Sequence, residues 1–309
     1  MNMRVKICCV FLGLVTGAAL LWGNTRVNLA ISSFEGLRSA DKNEVGGDEL
    51  ARLLEKKLQA ASQFQLRKAG AIEAYLDKLT LCQAGLLQTS SIDPGNYNLN
   101  VDHISVGSIS RPGSLYEIDS RLVNVNTWEI EHACGVSTSS YDYAVESISH
   151  NYVQFPGSNK TGKKKDKELP RLTVFRFRDS NDHSLERNYG NILSEILNTE
   201  LGTRKGLVVV ERRYSKSLIS EKEFRMTGVI ENIDSNNGFR RKGIQYQLSG
   251  EVRAFEDIIC VRYSLADTMT GRSVLSGYHE ISGSHYFRPL AKGMVSDIEG
   301  IVSKEAAVV

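Results

Sequence analysis

Leu50, Leu53, Leu54 and Leu58 fall at i, i+3, i+4 and i+8, the spacing of one apolar helix face. The same stripe recurs 143 positions on, at Leu193, Ile196, Leu197 and Leu201. That shift also carries Leu29, Ile31 and Phe34 onto Leu172, Val174 and Phe177, and Gly107 onto Gly250, with no gap between them. A period this long exceeds a solenoid repeat and suits a whole domain, so the pattern predicts a tandem duplication. The expected units are residues 26–152 and 171–303, joined by a lysine-rich linker at 153–170.

Within the first unit, apolar alternation predicts a strand over Val27 to Phe34, followed by a polar, glycine-rich loop to Gly47. A helix is expected from Asp48 to about Ala61, a strand over Phe64 to Lys68 and a second helix over Ala71 to Leu86. The partner of that second helix should begin near Ser215. Three strands then close each unit. They are His103–Ser110, Leu115–Val125 and Glu129–Thr138 in the first, and Tyr246–Phe255, Ile258–Ala266 and Ser273–Ile281 in the second. Terminal helices are expected over Tyr141–Tyr152 and Ala291–Val302. The order β-α-β-α-β-β-β-α requires parallel pairing among the early strands and hairpins among the late ones. The fold class is therefore α/β in the α+β sense, with a mixed sheet in each of two copies.

Composition narrows the function. The chain has 309 residues, 24% charged, with a net charge of +2, and acids and bases are interspersed, which argues against nucleic acid as a partner. Residues 1–23 combine Arg4 and Lys6 with an uncharged apolar run from Ile7 to Leu21, as in a signal peptide or N-terminal anchor. Any membrane association is expected only through this segment. Cys8 and Cys9 lie inside the run, so neither is placed to carry a lipid at a processed N-terminus. Cys82, Cys134 and Cys260 do not map onto one another, and their expected state is three separate buried thiols, with one bridge as the alternative.

Reactive constellations are not evident. Gly157 to Lys164 approaches a phosphate-binding loop, but it lacks the final hydroxyl residue and leads through Pro170 into a strand. His103, His132, His150, His183, His279 and His285 form no helical i, i+4 pair. No catalytic, cofactor-binding or metal-binding residue is assigned, and the chain is expected to be neither an enzyme nor cofactor-dependent. The polar loops Ser90–Asn100 and Asp234–Gly243, together with sheet edges, are the candidate contact surfaces.

The turn before the last strand of the second unit reads Asp267-Thr268-Met269-Thr270-Gly271, in which Gly271 suits a left-handed position and Asp267 can hold turn amides. In the first unit Trp128 stands at the glycine's place, which predicts a different loop geometry there.

These turns, the glycine of Val106-Gly107-Ser108, and the segments Phe64-Gln65-Leu66-Arg67-Lys68 and Val208-Val209-Val210-Glu211-Arg212 resemble the CsgG family. That group includes the curli secretion channel and is related to penicillin-binding-protein activator and TolB N-terminal-like domains. The resemblance covers both copies, Arg26 to Tyr152 and Arg171 to Val302. It implies a non-catalytic protein of the periplasm or outer membrane that works by binding envelope proteins of the secretion, outer-membrane or cell-wall machinery. Membrane-spanning hairpins are not accommodated, because Arg111–Ser114 and Glu256–Asp257 are short. An oligomeric curli-type channel subunit is the alternative function, and an enzyme with a cleft between the units the second alternative.

Overall fold

The computed structural model describes residues 26–37, 46–68, 100–112, 114–125, 127–156, 169–211 and 244–308. The leader, the helices expected over Ala71–Leu86 and near Ser215, the lysine run, Cys82, the loop Asp234–Gly243 and all but the last residue of Ser90–Asn100 lie outside the described residues.

The first unit contains β1 (Val27–Ile31), β2 (Glu35–Gly36), α1 (Gly47–Leu58), β3 (Phe64–Arg67), β4 (His103–Ser110), β5 (Tyr116–Asn124), β6 (Ile130–Thr138) and α2 (Tyr141–Val153). The second contains β7 (Arg171–Val174), β8 (Arg178–Asp179), α3 (Asp182–Arg187), α4 (Tyr189–Gly202), β9 (Val208–Val210), β10 (Tyr246–Phe255), β11 (Ile258–Asp267), β12 (Ser273–Ser282) and α5 (Phe287–Val308). Helix starts follow local chemistry. Asp48 and Glu49 sit in the first turn of α1 and Lys56 and Lys57 in its last, each complementing the helix dipole, while Ser140 caps α2 by accepting the Tyr143 amide.

Two mixed six-stranded sheets result, ordered β3-β1-β4-β5-β6 and β9-β7-β10-β11-β12, with β2 and β8 added beside β4 and β10. Their registers coincide under the 143-residue shift. Asn28 opposite Gln65 becomes Arg171 opposite Val208, His103 opposite Asn124 becomes Tyr246 opposite Asp267, and the register shift at Leu122/Val123 recurs at Leu265/Ala266.

One three-residue lock explains why these positions match. Phe34 and Phe177 are buried. A Cβ on Gly47 or Gly190 would overlap the backbone carbonyl of Phe34 or Phe177. A Cβ on Gly107 would strike the Phe34 ring and the Asp119 carbonyl, and one on Gly250 the Phe177 ring and the Arg262 carbonyl. The glycines thus let helix and strand close on the phenylalanine from both sides.

The first-unit turn corrects the expectation for Trp128. Its φ is 59°, beside 70° at Gly271, and Trp128 N–H donates to the Asn124 carbonyl at 2.8 Å as Gly271 N–H does to Asp267. The geometry is shared, and a buried indole occupies the left-handed position. Terminal helix α5 is also longer than expected, beginning at Phe287.

The layers run α1/α2, first sheet, α4/α5, second sheet. Helix α4 touches β4, β5 and β6 on one side and β7 to β10 on the other, so every residue from Tyr189 to Leu201 is buried. Strands β4 and β5 are consequently buried on both faces.

Gly107→Ala and Gly250→Ala are each expected to destabilise the protein by about 1–3 kcal/mol through overpacking. Gly293→Ala on α5, where a Cβ meets nothing within 4 Å, should stabilise by about 0.5–1 kcal/mol. Urea unfolding midpoints check all three.

Candidate functional site

Charged side chains fill the seam where the back of the first sheet meets α4 and α5. Along β5, Tyr116, Ile118, Ser120 and Leu122 alternate with Glu117, Asp119, Arg121 and Val123. The first set faces α2, where the Tyr152 hydroxyl bonds Ser105 and Ser120. The second faces the other unit.

Arg121 is fully buried. Its Nε donates to Glu211 Oε2 at 2.8 Å, its Nη2 to Glu195 Oε2 at 2.6 Å and its Nη1 to Thr199 Oγ1 at 3.1 Å. Arg288 of α5 donates from Nε to Glu117 Oε2 at 3.0 Å, from Nη2 to Asp119 Oδ1 at 3.0 Å and from Nη1 to Glu200 Oε1 at 2.8 Å. Ser137 Oγ donates to both Glu117 oxygens. The guanidinium lies against Gly135, where any Cβ would displace it.

Burial disfavours charge on Arg121, but Glu211 and Glu195 outweigh it and hold the guanidinium above its ordinary value. Arg288 behaves likewise, with Asp119, Glu117 and Glu200 opposing burial. For Glu117 the balance reverses: burial pushes its carboxyl above the usual value despite Arg288 and Ser137.

The seam continues at the Trp128 turn. The Trp128 carbonyl accepts the Glu211 amide at 2.9 Å, Glu129 forms an antiparallel bridge with Val210, and Arg171 pairs with Glu129. Along this line the described residues of the two units pack against each other.

The duplication does not repeat this chemistry. Under the 143-residue shift, Arg121 corresponds to Ser264, Glu117 to Cys260, Asp119 to Arg262 and Arg288 to Val145, while Glu195, Thr199 and Glu200 correspond to Arg52, Lys56 and Lys57. Arg52, Lys56 and Lys57 are exposed on α1. The shared residues build the fold, and the mismatched ones build the seam. Comparing mismatches between the copies could have located it.

Among the described residues, no element covers the face of the second sheet that points away from α4 and α5. Gln247, Ser249, Glu251 and Arg253 of β10 occupy the places of Ile104, Val106, Ser108 and Ser110. Glu251 lies 2.8 Å from Arg178 and 3.8 Å from Arg262, and Phe255, Ile258 and Tyr278 are exposed nearby. Among the described residues strand β12 ends this sheet with one neighbour, and it contains neither Lys, Arg nor Pro.

The six histidines stay apart. His103 is buried and bonds Glu131 at 2.7 Å, His132 meets the Asn151 carbonyl, His150 meets Gln154, and His279 stacks on Tyr263. His285 lies against Tyr286, and His183 Nε2 is buried without a hydrogen-bond partner. Among the described residues no group of three metal-capable side chains assembles, and no helix is long and apolar enough to cross a membrane. Cys134 and Cys260 are free and half-buried, and burial pushes the Cys134 thiol up to about 11.

No family model matches the chain, and no curated protein matches it. Solved structures with a similar arrangement include TolB from Acinetobacter baumannii, at 19% identity over 45% of this chain and 28% of that one, with a TM-score of 0.26. The LpoB C-terminal domain from Escherichia coli matches at 15% identity over 37% and 82%, TM-score 0.20. Lipoprotein GNA1162 from Neisseria meningitidis matches at 17% identity over 41% and 95%, TM-score 0.21. The chain thus spans about a quarter of TolB.

Removing Arg121 breaks its ion pairs with two buried carboxylates, so Arg121→Met should destabilise by about 3–5 kcal/mol. Exposed Arg52→Ala should change stability by less than about 0.5 kcal/mol. Chemical denaturation of both variants measures the contrast.

Proposed function

We propose that the chain is an exported, non-catalytic protein of the bacterial envelope, built of two tandem CsgG-like domains, whose second domain holds an extended segment of a partner protein along β12. The observation that carries this is the β12 edge. Nine of its ten residues pair, all with β11, and no other described strand or loop takes up their backbone groups.

A long edge without Lys, Arg, Pro or a cover is an aggregation hazard unless a partner strand uses it. The equivalent edge of the first unit, β6, also pairs with one strand among the described residues and also lacks Lys, Arg and Pro, but it packs on α4 and its entry turn is engaged. The turn leading into β6 is met by the second unit through the Glu129–Val210 bridge and the Trp128 carbonyl. Exposed Tyr278, Phe255 and Ile258 beside β12 and its neighbours provide side-chain contacts for the added segment.

Support for export comes from the apolar leader, and support for binding over chemistry from what was duplicated: a packing lock, not a reactive group. A ring built by repeating the seam is disfavoured. The corresponding contact between molecules would bring Arg262 of the open sheet towards Arg52, Lys56 and Lys57 of α1, all of one sign.

A photoreactive residue at Ser276 on β12, compared with one at Arg52 on α1, tests the proposal in the native envelope. The expected outcome is capture of a periplasmic or outer-membrane protein from Ser276 and not from Arg52. Equal capture at both positions, or capture of cytosolic proteins alone, would overturn it.

A further inference from the structure

We propose that the strand added along β12 is β12 of a second copy of this chain, laid antiparallel across a two-fold axis at Tyr278, so that two second-unit sheets join into one. This rests on the reading of β12 as a strand-binding edge and names its occupant.

Register selects the partner. Leu275, Gly277, His279 and Ile281 pair with Leu265, Tyr263, Val261 and Ile259, which are buried towards α4 and α5. Ser276, Tyr278 and Glu280 therefore point to the other face and are exposed. A two-fold axis perpendicular to the sheet keeps each face with its own kind, so opposed residues lie an even number of places apart.

With Tyr278 on the axis, Leu275 meets Ile281, Ser276 meets Glu280 and Gly277 meets His279, each pair made twice. Apolar side chains lie on apolar ones, the Ser276 hydroxyl can donate to the Glu280 carboxylate, and no like charges are opposed. Neighbouring registers lose this match. An axis at Gly277 sets Leu275 opposite His279, one at His279 sets Ile281 opposite Gly277, and one at Glu280 sets two carboxylates face to face.

Burial singles out the same strand. Leu275 and Ile281 are only half-buried, although Leu265 and Ile259 beside them on β11 are buried, so α5 leaves the edge uncovered. On β6, by contrast, Ile130, Ala133 and Val136 are already buried. The described chain leaves the second sheet at β9 and returns at β10, neither of which adjoins β12. Joining two copies uses both β12 edges. The sheet's other end, β9, is three residues long and already bridged to Glu129, so the assembly stops at two.

Sedimentation of the purified full chain tests the stoichiometry, and a photoreactive residue at Ser276 in an equal mixture of heavy-isotope and ordinary chains tests the register. A dimer is expected, with cross-links joining Ser276 of one isotope to residues 278–282 of the other. Ser276→Glu sets two pairs of carboxylates face to face and should weaken the dimer about tenfold, whereas Ser276→Lys, facing Glu280, should not weaken it. Adding Glu280→Lys to Ser276→Glu should restore it. Both positions are exposed, so the variants keep the fold.

A dimer indifferent to these substitutions, or cross-linked from Ser276 elsewhere, would overturn the proposal. A monomer whose Ser276 captures a different protein in the native envelope would overturn the second copy and leave strand addition standing. A monomer in which Ser276 reaches only its own chain, or nothing, would remove both.

Discussion

Helix α4 is buried on all sides because it serves two sheets, and most of the molecule's asymmetry follows from that double service. One side continues the Leu193, Ile196, Leu197, Leu201 stripe that its twin α1 also carries. The other side must meet the back of β5, whose outward residues are charged. A helix pressed between sheets leaves no water to solvate those groups, so each charge must find an opposite charge or a hydrogen bond within the protein. Arg121 and Arg288 meet that need for the carboxylates around them, fixing the register of one unit on the other as they do so. A buried guanidinium fork is directional, which suits it to orient two elements that apolar packing alone would let slide.

Much of the fold was legible because it is dictated locally. Strands β4 and β10 begin and end where alternation and turn residues place them, and the self-match survives as identical registers in the two sheets. Among the described residues, the glycines that match are those that a Cβ would wreck, so their recurrence is a packing signal. The short strands β2 and β8 and the single-turn-scale helix α3 were missed, since two to six residues carry too little periodicity to register.

The seam was not legible, for a different reason. Glu195 and Glu200 on a helix read as a solvated face, and their partners, Arg121 on β5 and Arg288 on α5, lie 74 and 88 residues away in sequence, which no local pattern reports. Trp128 failed in the same way. Sequence preference disfavours a left-handed tryptophan, but the indole is buried against the second unit and its carbonyl is engaged by Glu211, so tertiary packing overrides the backbone preference.

Chain order gives the buried back of the first sheet one more consequence. Synthesis delivers the N-terminal half first. Until α4 emerges, Ile104, Val106 and Val123 stand bare beside the unpaired acids of β5. For that interval the nascent first half is a sticky, anionic surface that a holding chaperone would recognise, and it becomes a finished interior only when the later half arrives to cover it.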